Sequence, residues 1–323
     1  MTTLEHICTL VENEFAAVNT QIIDCLSSRV PLIQEMGHYL VQSGGKRIRP
    51  LLVLLTAKAC GYSGDQHITL ATIIEFIHSA TLLHDDVIDG SAQRRNRPTA
   101  NQVWGNPASI LVGDFLYSRA FELIVSLQTP RLLEILASAT NMIVEGEVIQ
   151  LTNRHNPDLE EAIYHHIVQC KTAKLFEAGA QLGAHLAKQS ASIEQSCADY
   201  GFHLGYAFQL VDDVLDYRAD TALMGKNLGD DLAEGKVTLP LLYTLQSCTA
   251  DEAQVIRQAI KVGSLTDLPL IQQAIKHSGA IEHTLALAQA QADKALACLE
   301  ALPETPYRQA LQALAKFSIH RAA

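Results

Sequence analysis

Apolar residues recur at three- and four-residue intervals through Ile68–Leu83, Pro107–Leu127, Arg131–Leu151, Leu159–Leu186 and Ile193–Tyr217, and strand-like alternation is scarce. That spacing gives a helix a continuous apolar stripe, so it predicts an all-α chain. Breakers fall between the segments, at Ser43-Gly44-Gly45, Gly61-Tyr62-Ser63-Gly64, Asn96-Arg97-Pro98, Asn106-Pro107, Asn156-Pro157 and Gly225. Pro50 and Pro107 are placed as first helical residues, where a missing N–H does no harm. Ile68–Leu83 is apolar around most of its circumference, which marks a helix buried on all sides. No low-complexity stretch or Pro/Gly-rich linker divides the chain, so residues 1–323 are expected to form a single large helical bundle.

Composition narrows the partners. The 323 residues are 48% hydrophobic, enough to bury a large core. The net charge of -11, from 35 acidic and 24 basic residues, argues against nucleic acid or an anionic membrane surface as a partner. An anionic substrate stays accessible if a metal ion bridges it to the protein. The seven cysteines form no CxxC pair, which reads as reduced thiols and not as a disulfide frame or zinc site. The amino-terminal MTTLEHICTLVENEF has acids where a signal peptide has a basic region. The apolar run Leu51–Leu55 is too short to span a bilayer. A cytoplasmic protein outside the membrane is the expectation.

One pattern occurs twice. Leu82-Leu83-His84-Asp85-Asp86-Val87-Ile88-Asp89 resembles Gln209-Leu210-Val211-Asp212-Asp213-Val214-Leu215-Asp216, each a DDxxD at the end of an apolar run. On a helix, residues four apart share a face. Asp85 with Asp89, and Asp212 with Asp216, therefore bring carboxylates together, and such crowding is unfavourable without a cation. An oxygen-only ligand set suits magnesium, which accepts a few carboxylates plus substrate phosphates. A single copy would read as a solvated acidic helix end. A solvated face has no need of the apolar run that leads into each copy here.

Cations are grouped as well. Gly44-Gly45-Lys46-Arg47-Ile48-Arg49-Pro50 is a glycine turn carrying three cations into a helix, and Lys and Arg bind phosphate as point charge and as fork. Arg94 and Arg95 follow Asp89 closely, Lys171-Thr172 lie on a helix, and Lys226 and Lys236 follow the second acidic cluster. In so acidic a chain, these groups point to a diphosphate pocket; surface salt bridging is the plainer alternative for each cation alone.

Together these motifs resemble the trans-prenyl diphosphate synthase family, and the likeness spans almost the whole chain. It is carried by GGKRIRP at Gly44–Pro50, LLHDDVIDGSAQRR at Leu82–Arg95, GDFLYSRAF at Gly113–Phe121, EGEVIQL at Glu145–Leu151, KTAKLFE at Lys171–Glu177, FQLVDDVLDY at Phe208–Tyr217 and GKNLGDDLAEGKVTLPLL at Gly225–Leu242. Within the family the sequence is most similar to the bacterial branch that makes octaprenyl chains for quinones. The resemblance implies the isoprenoid synthase fold, a helical bundle around a central cavity, and a magnesium-dependent condensation of isopentenyl diphosphate with an allylic diphosphate such as farnesyl or geranyl diphosphate. It implies that Asp85 and Asp89, helped by Asp86, hold magnesium on the allylic diphosphate from one side, and Asp212, Asp213 and Asp216 from the other. Arg94, Lys171, Thr172, Gln209, Lys226 and Lys236 would contact the allylic diphosphate or the nascent cation. Lys46, Arg49, His78 and Arg95 would hold isopentenyl diphosphate, while His84 would orient or support. A homodimer through central helices such as Pro107–Leu127 is also implied.

Two rivals share some of these features. A class I terpene cyclase ionises the same kind of substrate, but it pairs one DDxxD with a Ser/Thr- and Glu-bearing motif where this chain has Asp216 and Asp220. A non-catalytic synthase subunit loses aspartates, and this chain keeps all six.

Product length depends on the tunnel below the first cluster. One turn before Asp85 stand Ala80 and Thr81, where short-chain members of the family carry bulky aromatics, so the gate reads as open. Ile77, Ile74 and Ile73 lie deeper, down to about 18 Å below Asp85 at about 1.5 Å per residue. Leu123 and Ile124 on the facing helix are the expected floor; heptaprenyl and nonaprenyl products are the alternatives to octaprenyl. Alanine at both positions is expected to lengthen the product chain, and product sizing by chromatography that shows no change would remove them as the floor.

Overall fold

A computed structural model describes residues 4–42, 44–218 and 228–321, and they are helical almost throughout, as the periodicity predicts. Strand structure among them is confined to one two-stranded hairpin. The chain divides into two compact units, Met1–Thr140 with Leu175–Gly201 and Leu296–Leu314, and Asn141–Lys174 with Phe202–Ala295 and Ala315–Ala323. No described helix is long and apolar enough to cross a membrane.

The first unit is built on the helix Gln66–Ile88. It packs along the helix Asn106–Ser126 and against Ile48–Ala59 and Glu12–Cys25. Leu70, Ile73, Ile74, Ile77 and Ala80 are fully buried on it, which accounts for its nearly all-round apolar sequence. Burial of each Leu or Ile in such a core contributes roughly 1.5–3 kcal/mol. Ile48–Ala59 is more enclosed still, with every residue from Leu51 to Ala57 buried. Pro50 is the third residue of that helix and Pro107 the second of its own, not the first of each. Both still lie in the first turn, where backbone N–H groups have no intrahelical acceptor, so proline is tolerated for the same reason.

The hairpin pairs Gln93–Arg94 with Arg97–Pro98 in antiparallel register. Its two turn residues, Arg95 and Asn96, have φ of 55° and 59°. Positive φ at both central positions is the type I′ geometry that matches strand twist. Neither residue is glycine, so contacts from elsewhere must hold the turn, and the Asp86 side chain supplies them through Arg94.

The second unit gathers Tyr164, Val211, Val214, Leu232, Ile256, Ile260 and Ile271 into one core. Residues 202–215 of the helix Ala191–Leu215 bring the second acidic cluster into it. The segment Leu159–Leu186 is not one uniform α-helix. Glu161–Val168 runs into a π-helical turn at Gln169–Ala173, and Lys174–Leu186 follows. A π turn inserts an extra residue into the helical ladder and often marks a functional position; this one carries Lys171 and Thr172.

Close backbone approach sets one sharp constraint in the first unit. A Cβ at Gly183 would lie 3.0 Å from both Ala57 N and Val53 O, backbone atoms of the helix Ile48–Ala59. Because neither neighbour is a flexible side chain, Gly183→Ala is expected to lower the thermal midpoint, at an overpacking cost of about 1–3 kcal/mol. A midpoint equal to the parent's would show that the two helices separate freely.

Candidate active site

The first aspartate cluster sits where Gln66–Ile88 ends. Asp89 is the C-cap residue, still right-handed helical at φ -83° and ψ -15°, and its N–H donates to the Asp85 carbonyl at 2.7 Å. Helical geometry therefore continues through the motif, and Asp85 and Asp89 share a face one turn apart, both half-buried. Asp86 differs: it is 4% exposed. Its Oδ1 accepts from Arg94 Nε at 3.0 Å and Nη2 at 2.7 Å, and its carbonyl accepts from Asn101 Nδ2 and Ser91 N. Asp86 thus folds the hairpin back onto the helix end and delivers Arg94 and Arg95 beside the cluster. His84 Nε2 lies 3.2 Å from the Ile110 carbonyl and 3.4 Å from Asp114 Oδ1. Its ring occupies the place where a Cβ on Gly113 would stand.

In the same unit a second group of cations assembles around the glycine turn. Gly44 and Gly45 have φ of 71° and 134°, and Arg47, at φ 43°, is the left-handed N-cap of Ile48–Ala59. The Arg95 guanidinium donates to the Gly44 carbonyl and fills the space that a Cβ on Gly45 would take, which is why that turn needs glycine. Arg49 Nη1 donates to His78 Nε2 at 3.2 Å and its guanidinium lies 4.5 Å from the Phe176 ring centre. Burial, with the charges of Arg49, Arg94 and Arg95 adding, holds the His78 imidazole well below its usual range, so it is neutral. Lys46 is exposed at the edge of this group. Lys46, Arg49, His78 and Arg95, assigned to one subsite by resemblance, are thus all carried by this unit around the glycine turn and the helix that faces it.

The second unit holds the other half of the assigned residues in a pocket of about 100 Å³ lined by Lys171, Thr172, Gln209, Asp213, Asp231 and Lys236 among others. Lys171 Nζ donates to Glu147 Oε2 at 2.7 Å and Gln150 Oε1 at 2.8 Å. Thr172 Oγ1 donates to Gln209 Oε1, and Gln209 Nε2 to Asp213 Oδ1, each at 2.8 Å. Tyr164 donates its hydroxyl to the other oxygen of Asp213. Burial, reinforced by the charge of Asp231, pushes the Asp213 carboxyl up to about 8. Asp216 is also buried, accepting at Oδ2 from Asp231 N at 3.3 Å. Lys236 Nζ donates to Glu234 Oε2 at 2.6 Å.

Asp212 is the accessible member of this cluster, its side chain 27% exposed. It pairs with Arg321 Nη1 at 3.1 Å, while Arg321 Nη2 donates to the Phe208 carbonyl and the guanidinium stacks 3.5 Å from the Phe208 ring centre. Lys226, assigned to the same substrate by resemblance, lies outside the described residues. Ala80 and Ile77, expected to line the tunnel, are fully buried, and Thr81 donates to the His78 carbonyl at 2.8 Å. Leu123 is half-buried and Ile124 is 1% exposed.

Several participants had no role from sequence. Glu147 and Gln150 belong to the EGEVIQL motif, three residues apart, a spacing that puts both on one helix face. Asp231 lies in the quoted Gly225–Leu242 motif but was given no role, while Tyr164 and Arg321 carried no local signal, since each acts across a long sequence separation.

Among the described residues no three His, Cys, Asp or Glu groups converge as a ready-made metal cage. The donor sets are nonetheless hard oxygens, half-exposed at Asp85, Asp89 and Asp212. Such a set fits a small divalent cation that completes its shell with water and substrate phosphate.

This helical fold, with DDxxD-bearing helices and lysine- and arginine-lined pockets, is that of an isoprenoid synthase. The chain belongs to the polyprenyl synthetase family, which it matches over residues 30–277, and it is a trans-prenyltransferase. It is 49% identical to the octaprenyl diphosphate synthase of Escherichia coli (strain K12), over 98% of this chain and 99% of that protein. Among solved structures it is similar to the polyprenyl synthase of Caulobacter crescentus CB15 complexed with calcium and isoprenyl diphosphate, with a TM-score of 0.96 and 44% identity, covering 100% of this chain and 99% of that one. The decaprenyl diphosphate synthase of Rhodobacter capsulatus has a TM-score of 0.94 and 40% identity, over 99% and 100% of the two chains.

Asp86→Ala removes the side-chain acceptor of Arg94 but not the backbone bonds of the helix end. Hydrogen exchange is expected to accelerate across residues 91–98 while the amides of Gln66–Ile88 keep their protection. Unchanged exchange in the hairpin would show that the turn holds without Asp86.

Proposed function

We propose that this chain condenses isopentenyl diphosphate onto an allylic diphosphate, with farnesyl diphosphate as primer, and makes an all-trans octaprenyl diphosphate for quinone side chains. The observation that carries the reading is the convergence of Lys171, Thr172, Gln209, Asp213 and Lys236 on one pocket. The family's motifs assign all five to the allylic diphosphate or its metal, although they are far apart in the chain. The identity to the Escherichia coli octaprenyl enzyme exceeds that to the decaprenyl enzyme of Rhodobacter capsulatus, which supports the shorter product.

Magnesium is the cation these carboxylates suit. Asp85 and Asp89 of the first cluster and Asp212 of the second would hold it, with Asp213 and Asp216 braced behind. When bound, it neutralises negative charge that builds on the departing diphosphate. The chain's own cations work on the same charge. Lys171 and Lys236 border the pocket as point charges, Arg94 is fixed by Asp86, and Lys226 would add to them from outside the described residues. Such charges are aimed before reaction and need no reorganisation as the carbon–oxygen bond breaks. Arg321, paired with Asp212, adds a cation that the sequence did not single out.

The allylic cation left behind is attacked by the double bond of isopentenyl diphosphate, held by Lys46, Arg49, His78 and Arg95. No side chain is required as base. His78 has its Nε2 engaged by Arg49, and His84 is tied to Ile110 and Asp114. The released diphosphate takes the proton. The growing chain would pass Ala80, Thr81 and Ile77 toward Leu123 and Ile124.

We read residues 1–323 as one prenyl diphosphate synthase domain, acting in the cytoplasm as a homodimer. Its seven cysteines are free thiols, in keeping with a reducing compartment. The helix Asn106–Ser126 leaves Leu111 66% and Val125 58% exposed, apolar surface that a second copy would cover.

The test incubates the purified chain with labelled isopentenyl diphosphate, farnesyl diphosphate and magnesium, then sizes the dephosphorylated products. One dominant octaprenyl product is expected, lost on chelation with EDTA. Asp85→Ala and Asp212→Ala are each expected to lower the rate by roughly 10²- to 10³-fold or more. A product of another length would change the tunnel reading alone. No elongation by the folded protein would end the synthase reading and favour a non-catalytic subunit.

A further inference from the structure

Glu75 is the single Asp, Glu, Lys or Arg between Gln66 and His84, on a helix that is otherwise core. Its side chain is 15% exposed, and Oε1 lies 3.9 Å from Arg47 Nε. Oε2 is shielded from solvent and accepts no hydrogen bond from any described residue. A carboxylate buried with one oxygen unused is unfavourable unless something nearby repays it. No step of the condensation gives Glu75 a task.

What surrounds it supplies one. Arg47 faces the carboxylate, Arg49 is bonded to His78 one turn further along the same helix, and Arg95 donates to the carbonyl of Gly44, which borders the same pocket as Glu75 and Arg47. Burial raises the proton affinity of the Glu75 carboxyl, and the charges of Arg47, Arg49 and Arg95 oppose that rise. They belong to two parts of the chain: the cap and first turn of the helix Ile48–Ala59, and the hairpin turn at φ 55°. Guanidiniums brought this close repel one another, and Arg95 feels Arg94 and Arg47 unfavourably while Glu75 acts the other way. A fixed negative charge among them lets the cluster stand assembled before an anion arrives.

We propose that Glu75 is a positioning residue for the isopentenyl diphosphate subsite, its carboxylate holding the guanidiniums of Arg47, Arg49 and Arg95 in the arrangement that receives the diphosphate. The proposal rests on the assignment of Arg49 and Arg95 to that substrate. Two effects of Glu75 oppose each other. Its charge repels an incoming diphosphate, yet it also keeps the donors in place. Glu75 and Arg47 are about equally enclosed, at 15% and 13% exposed, but one carboxylate stands among three guanidiniums, so the net charge still attracts a diphosphate and the positioning effect prevails.

The test is steady-state kinetics of Glu75→Gln, which removes the charge and keeps the shape, beside Arg95→Ala and the double variant. Glu75→Gln is expected to raise KM for isopentenyl diphosphate by about tenfold, with kcat and KM for farnesyl diphosphate within about twofold of the parent. Arg95→Ala raises the same KM, and the double variant shows less than the product of the two effects, because Glu75 acts through Arg95. Glu75→Asp restores part of the loss. If Glu75→Gln does not fold, Glu75→Asp carries the same comparison with a smaller rise expected. A KM for isopentenyl diphosphate that is unchanged or lowered in the folded Glu75 variant, while Arg95→Ala raises it, overturns the proposal. Multiplicative effects in the double variant overturn it too. An unchanged KM in Arg95→Ala would overturn the subsite reading beneath it.

Discussion

Carboxylates gathered at the end of an apolar helix repel one another, and every arrangement around the two clusters answers that repulsion. Asp86 binds the Arg94 guanidinium through two hydrogen bonds, Asp212 pairs with Arg321, and Asp213 is buried against Tyr164 and Gln209. Asp85 and Asp89 in one cluster and Asp212 in the other are half-exposed, and these are the carboxylates we propose for a divalent cation. The inward aspartates brace the local structure. The same balance runs in reverse at the glycine turn, where Glu75 faces Arg47 amid a group of guanidiniums. Each site is a set of like charges kept together by a minority of opposite ones, and in the proposed reaction substrate with metal would complete the neutralisation.

The local structures that achieve this are unusual ones. Arg47 and Arg95 sit at positive φ, a conformation non-glycine residues adopt only when surrounding contacts hold them there. Lys171 and Thr172 fall in a π-helical turn, and Gly45 and Gly113 yield space to an arginine and a histidine. These departures from regular geometry lie at the two proposed diphosphate sites, although Gln128, His155 and Lys188 also sit at positive φ elsewhere. A rigid apolar frame tolerates a few unfavourable backbone positions where function needs a side chain aimed in one direction.

Much of this was legible in the amino-acid sequence because helical periodicity is local. A spacing of three and four residues located Gln66–Ile88 and Ala191–Leu215 to within a few residues and placed Asp85 and Asp89 on one face. The convergence of Lys171, Thr172, Gln209 and Lys236 came from resemblance, since no spacing rule connects residues so far apart. The hairpin was read only as a breaker at Asn96-Arg97-Pro98: its turn has no Asn-Gly or Asp-Gly pair and is held by Asp86 across the chain. The π turn was invisible for a similar reason, as its sequence continues the helical pattern without interruption. Glu75 did carry a signal, one acid in a run of apolar residues, and it could have been singled out. Arg321 could not, because a cation near the end of a chain looks like any solvated one.

We propose that Asp85 and Asp212 both act on magnesium-bound diphosphate. Calorimetric titration of magnesium into the protein, with and without a non-reactive thio analogue of farnesyl diphosphate, tests it directly. The analogue is expected to tighten magnesium binding at least about tenfold, and Asp85→Asn and Asp212→Asn are each expected to abolish this enhancement on their own. Enhancement that survives either single substitution would contradict the account and leave two independent acidic sites.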